Sequence, residues 1–152
     1  MLGFDPLESL GFHCNLTFKA FAALLEQRLL GSGVSRVQFM ALAHLIALGS
    51  MPQKELARLL SITSASTVRL VDRLTRDGWA ERIAAPEDGR VKLIAPTPKA
   101  LETWAKISVH AREITGLASR GLTAGEIDGV KAVLKKVREN LNGNQQNESR
   151  PV

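Results

Sequence analysis

Across 152 residues the chain has one cysteine and no tyrosine, and aromatic residues make up only 5% of it. A single thiol, Cys14, excludes an intrachain disulfide framework and leaves too few sulfur ligands for a structural zinc site of the usual kind, which suits a reducing compartment. Long apolar runs are missing too. The longest, Phe39 to Leu48, is broken by His44 and falls far below the roughly 20 residues that cross a bilayer. The opening residues carry Asp5 and Glu8 without a basic cluster, so no signal peptide is expected. Catalytic arrangements are equally scarce. There is no nucleophile–base spacing, no carboxylate pair in apolar surroundings and no phosphate-cradling loop, because Gly31-Ser32-Gly33 reads as a helix-ending linker without the strand a nucleotide loop needs. Three scattered histidines make weak metal ligands. The expectation is a soluble cytoplasmic protein that is not an enzyme and needs no metal, cofactor or membrane.

What is present is enough to build a core. Hydrophobic residues reach 45%, and 20 Lys and Arg outweigh 15 Asp and Glu for a net charge of +5. That balance favours a polyanionic partner, because neutralised phosphates release counterions on binding.

Helix starts are marked by capping oxygens followed three residues later by a carboxylate or amide: Asp5 with Glu8, Ser35 with Gln38, Ser50 with Gln53, and Thr123 with Glu126. Thr97-Pro98 adds a cap with proline at the first helical position, and Thr63 a further cap. Six helices follow, over about 6–30, 36–48, 52–60, 64–77, 98–119 and 124–141, with Gly31, Gly49, Gly78 and Gly121 at stops. Between the fourth and fifth, residues 79–84 and 91–95 alternate with period two around Pro86-Glu-Asp-Gly-Arg90, a turn-forming cluster. This is a two-stranded wing. The last residues, from Asn142, carry almost nothing apolar and are expected to fray.

The fourth helix separates its residue types. Thr67, Leu70, Val71 and Leu74 follow the i, i+3, i+4, i+7 spacing and form an inward stripe, which turns Ala65, Arg69, Asp72 and Arg76 outward, flanked by Ser66, Val68 and Arg73. Its first turn is small and hydrogen-bonding (Ser64, Ala65, Ser66), and the arginines come later. A helix with base-sized space at its start and cations behind is suited to a DNA groove. Helices one, five and six carry stripes of their own (Leu7, Leu10, Cys14, Phe18, Phe21, Leu25; Leu101, Trp104, Ile107, Ser108, Ala111; Ile127, Val130, Val133, Leu134, Val137, Leu141). Those stripes need partners, and the economical arrangement is a two-fold homodimer.

The order of elements resembles the MarR family of transcriptional regulators over residues 5 to 141. The resemblance rests on Gln38 in the opening of the second helix, Leu56-Ala57 in the third, and Ser66-Thr67-Val68-Arg69-Leu70-Val71-Asp72-Arg73-Leu74 in the fourth. Gly78 and Asp88-Gly89-Arg90 in the wing add to it. Thr97-Pro98-Lys99-Ala100 looks like the family's opening of the fifth helix, with Pro96 and Ala100 replacing the usual leucine and glycine. The fold implied is mainly α with a small β-hairpin wing: a winged helix-turn-helix core at 35–96, dimerisation helices at 1–34 and 97–141, and a flexible tail at 142–152.

The family also implies a homodimer on a pseudo-palindromic double-stranded DNA site, acting as a repressor relieved by a small aromatic or amphipathic ligand. On this chain Ser64, Ala65, Ser66 and Val68 are expected at base edges and Arg69 at a guanine, with Arg73 and Arg76 on phosphates. Asp72 is expected to orient a neighbouring arginine. In the wing Asp88 steadies the loop while Arg90 enters the minor groove, and Lys54 and Lys92 add backbone contacts. His13, Phe39, His44, Trp104 and His110 are the candidate lining of an effector pocket. Two alternatives stand beside this reading. Cys14 resembles in position the first-helix cysteine of peroxide-sensing members, although those surround it with tyrosines, and a winged helix can also serve as a protein-interaction module.

Overall fold

The structure, a computed structural model, describes residues 5–148. Its elements start largely where the caps lie. Helix α2 (Arg36–Leu48) opens on a complete capping box, in which the Ser35 hydroxyl accepts from the Gln38 amide and the Gln38 side chain accepts from the Ser35 amide. Helix α4 (Ser64–Arg76) is capped by Thr63, α5 (Pro98–Ala118) by Thr97, and α6 (Ala124–Glu148) by Thr123. The hydrogen bonds from Thr123, its backbone amide above all, hold the Glu126 carboxyl below its ordinary pKa. Helix α2 stops at Gly49, whose φ of 83° lies in the left-handed region that glycine tolerates.

Three boundaries differ from the sequence expectation. Helix α1 is Leu10–Leu29, capped by Ser9, because the Asp5 carboxylate is taken by the Leu7 amide in a turn that ends before the helix begins. Ser50 does not cap α3 (Gln53–Leu60). Met51–Pro52 is extended instead and forms β1, with Met51 buried opposite Ile94, and Pro52 occupies the N-cap position without a side-chain bond. Helix α6 continues past Leu141 to Glu148, since Gly143 weakens a helix without breaking it. The tail expected over 142–152 is therefore helical as far as Glu148, and residues 149–152 lie outside the described residues.

The wing is a three-stranded antiparallel sheet, not a lone hairpin. Strand β3 (Lys92–Pro96) lies between β1 and β2 (Ala80–Ala84), with Ala80 opposite Pro96 and Ala84 opposite Lys92. The added strand ties the hairpin to the start of α3, which matters because an isolated hairpin is marginal in water. Its loop is closed as expected by Asp88, whose carboxylate accepts from the Arg90 amide at 3.0 Å.

Packing divides the chain into Met1–Ile114 and Thr115–Val152. The division falls inside α5. Leu29 of α1 and Ala100 and Ile107 of α5 are buried in the same cluster as Leu42, Leu45, Leu56, Leu70, Val71, Leu74 and Ile94. One core thus serves the helix-turn-helix and the helices that flank it. The second unit holds the end of α5 and α6, whose Val130, Val133 and Leu141 are exposed. Among the described residues no helix is long and apolar enough to cross a membrane.

Leu45 has no exposed surface at the centre of this cluster. Leu45→Ala is therefore expected to lower the unfolding free energy by about 2–5 kcal/mol, read from the urea midpoint at constant slope. A midpoint that stayed in place would show that the core is organised elsewhere.

Candidate nucleic-acid interface

Helix α4 is oriented by what it buries. Thr67, Leu70, Val71 and Leu74 are all buried, and the Thr67 hydroxyl satisfies itself by donating to the Thr63 carbonyl at 2.9 Å. With 3.6 residues per turn, that stripe forces the other face out. Ser64, Ala65, Val68, Arg69, Arg73 and Arg76 are exposed, and Ser66 is half-buried, its hydroxyl accepting from Thr63 at 3.0 Å. Val68 presents an apolar methyl pair to solvent.

The helix-turn-helix geometry comes from a tight reversal. Ser61, in the left-handed region at φ 53°, ends α3, and the Ile62 amide returns to the Ala57 carbonyl at 3.2 Å. Ser61 is the only non-glycine with positive φ among the described residues. The turn leaves Thr63 free to cap α4 and points the first turn of that helix outward.

The cations of this surface fall into two groups. On α3, Arg58 is committed to Glu55 through bonds of 2.6 and 2.9 Å, and that hydrogen bond holds the Glu55 carboxyl below its usual range. Lys54, by contrast, is exposed and forms no ion pair among the described residues. On α4, Arg76 lies 3.8 Å from Asp77, while Arg69 and Arg73 have no carboxylate partner among the described residues. In the wing, Arg90 and Lys92 are exposed and unpaired in the same sense. Free guanidinium and ammonium groups on an exposed face are available to phosphate or base edges.

Asp72 orients an arginine, as expected, but not one on its own helix. Its carboxylate accepts from Arg82 of β2 at 2.6 Å, which fastens the wing to α4. Sequence reasoning missed Arg82 because that pairing depends on how the strand folds back over the helix. Gln38 and Asp77 were likewise missed as partners: the Gln38 amide donates to the Asp77 carboxylate at 3.1 Å.

Of the other candidate residues, Phe39 and Trp104 are brought together. Phe39 is buried and meets the half-buried Trp104 with ring centroids 4.9 Å apart, as core packing. His13 is exposed on α1, and His44 and His110 are half-buried on α2 and α5. A cleft of about 270 Å³ opens at α4 itself, lined by Val37, Gln38, Ile62, Ser66, Arg69, Leu70 and Arg73, none of them among those five. Cys14 is half-buried on α1.

The comparisons with known proteins point one way. The profile described as the MarR family matches residues 32–91, from the end of α1 through the wing loop. The multiple antibiotic resistance protein MarR of Escherichia coli is 27% identical over 139 residues, covering 88% of this chain and 94% of that protein. Among solved structures, the transcriptional regulator PA3341 is 31% identical with a TM-score of 0.83, over 89% of this chain and 99% of its own. A mutant MarR from E. coli, solved complexed with operator DNA, is 25% identical with a TM-score of 0.73, over 88% and 98%.

Thr63→Ala removes the cap that orders the outward first turn of α4. It is expected to cost about 0.5–2 kcal/mol in the denaturant midpoint and to speed amide exchange at Ser66 first. Unchanged exchange at that position would show that the turn does not depend on the cap.

Proposed function

This chain belongs to the MarR family of transcriptional regulators, and from that premise we propose that it is a cytoplasmic homodimeric repressor of a pseudo-palindromic DNA site. The observation that carries the reading is the face of α4: small residues at its start, then Arg69, Arg73 and Arg76 exposed behind them, with Arg90 exposed in the wing loop. In this reading Ser64, Ala65, Ser66 and Val68 meet base edges and thymine methyls in the major groove. Arg69 reads a guanine, Arg73, Arg76, Lys54 and Lys92 bind phosphates, and Arg90 enters the minor groove.

Pairing of two chains is supported by apolar surface exposed among the described residues. Leu10 and Phe18 of α1 are 54% and 61% exposed, and Val130, Val133 and Leu141 of α6 are exposed as well. Patches of this kind mark interaction surfaces. A two-fold dimer would set its α4 helices about one helical turn apart along the duplex, which is why the site should be palindromic.

Release by a small amphipathic ligand is supported by the cleft at α4. Val37, Ile62 and Leu70 give it an apolar wall, and Arg69 and Arg73 stand at its edge. An aromatic acid seated there would compete with DNA for those two guanidinium groups.

The two arginines separate base reading from phosphate binding. Arg69→Ala is expected to weaken the selected site by about 1–3 kcal/mol, roughly 5- to 150-fold, with a smaller effect on random duplex. Arg73→Ala should weaken both alike and reduce the salt slope of log affinity by about 1. Fluorescence anisotropy at several salt concentrations reads both, and an Arg69→Ala protein with wild-type affinity for the selected duplex would remove the base-reading assignment.

A further inference from the structure

A helix that reads bases has to be held at both ends. Helix α4 has 13 residues and so is about 20 Å long; tilting it by about 10° around its start carries the far end roughly 3 Å. Base contacts tolerate displacements of only about 0.5 Å. The start of α4 is fixed by the turn from α3 and by Thr63. Its far end, Asp77 and Gly78, lies between the buried Leu74 and Trp79, and there four hydrogen bonds from outside the helix converge. The Gln38 amide donates to the Asp77 carboxylate at 3.1 Å and the Lys99 ammonium to the Asp77 carbonyl at 2.8 Å. The Thr97 hydroxyl donates to the Gly78 carbonyl at 2.6 Å, and the Thr97 amide to the Trp79 carbonyl at 3.2 Å.

Two features set the Gln38–Asp77 bond apart from ordinary surface polarity. Gln38 is 2% exposed, and its amide is fully assigned: the oxygen accepts from the Ser35 amide at 2.9 Å, which leaves the NH₂ to face Asp77. A buried side chain thereby joins the first turn of α2 to the last residue of α4. Asp77 is also in the wrong place for a carboxylate on general grounds, because it sits at a helix C-terminus, where the dipole disfavours an anion, and on a protein that binds a polyanion. Its charged neighbours are Arg76, whose Nε lies 3.8 Å from Oδ1, and Lys99, whose ammonium donates to the Asp77 carbonyl. A charge that opposes both the helix and the ligand requires a compensating role.

We propose that Gln38 and Asp77 are positioning residues for DNA recognition: their hydrogen bond clasps the C-terminal end of α4 to α2 and sets the angle at which Arg69 and Arg73 meet the duplex. The clasp rests on the DNA-binding reading above and adds to it the residues that convert binding into discrimination. The start of α5 bears on the same turn through Thr97 and Lys99, so a displacement of α5 would reach α4 at this point.

The test uses the duplex that wild-type protein enriches from a random-sequence pool, and measures its affinity relative to unselected duplex at physiological salt. Asp77→Ala removes a negative charge and relieves the helix dipole but leaves the buried Gln38 NH₂ unpaired, so its melting temperature should fall modestly while its affinity for unselected duplex should hold or rise. The clasp nevertheless predicts that the specificity ratio falls by about tenfold or more, as when a bidentate base contact is lost. Gln38→Glu keeps the oxygen that accepts from Ser35 but sets a second carboxylate against Asp77, and should lose the ratio as well. The double variant Gln38→Glu with Asp77→Asn restores a donor to the pair and conserves net charge, and should recover the ratio to within about threefold. An Asp77→Ala protein with the wild-type ratio, or a double variant no better than Gln38→Glu alone, overturns the clasp. If the wild type enriches no sequence at all, the regulator reading fails first and the clasp with it.

Discussion

The inward stripe of α4 is the constraint on which the rest of the molecule depends. Thr67, Leu70, Val71 and Leu74 are buried together, and burying the Leu70, Val71 and Leu74 side chains stabilises by about 1.5–3 kcal/mol each. Rotating the helix by one residue would expose the stripe and bury arginines, a penalty far above any gain from surface pairing. The outward face is therefore decided by the core before any ligand is considered. Arg69 and Arg73 need no carboxylate to hold them out, and this leaves their charge available.

Around that helix the polar contacts act as stays. Thr63 fixes its first turn, Asp72 reaches Arg82 to bring the wing alongside, and Gln38 with Thr97 and Lys99 takes hold of its last turn. Exposed ion pairs such as Asp72–Arg82 contribute at most about 1 kcal/mol, so their value here is geometric: they set angles between elements that the core has already brought together. The strand β1 does the same for the wing from its other side. A reading surface composed of one helix and one hairpin requires the two to keep a common orientation, and these contacts supply it.

Much of this was legible in the amino-acid order because it is local. Ser35 with Gln38, Thr63, and Thr123 with Glu126 are caps completed within three residues, and the α4 stripe follows from helical period alone. What escaped was tertiary. Ser50 with Gln53 has the pattern of a cap, yet Met51 is drawn into the sheet by Ile94, so the helix begins at Gln53 without it. Asp5 with Glu8 was overridden by Ser9, whose hydroxyl accepts from Phe12 while also donating to Pro6. Arg82 and Asp77 gave no signal in the chain, because their partners come from other elements. The five aromatic and histidine residues shared a chemistry, but the structure distributes them between core and surface. A cleft at α4 is lined by other residues, Val37, Ile62, Arg69 and Arg73 among them.

The central claim is that two copies of this chain present α4 and the wing to one side of a duplex. Hydroxyl-radical footprinting of the wild-type protein on its selected duplex tests this most directly. The account predicts two protected segments on one face, their centres about 34–36 Å apart along the axis, flanked by protected minor grooves where Arg90 would lie. A single protected segment, or protection without a helical period, would contradict it.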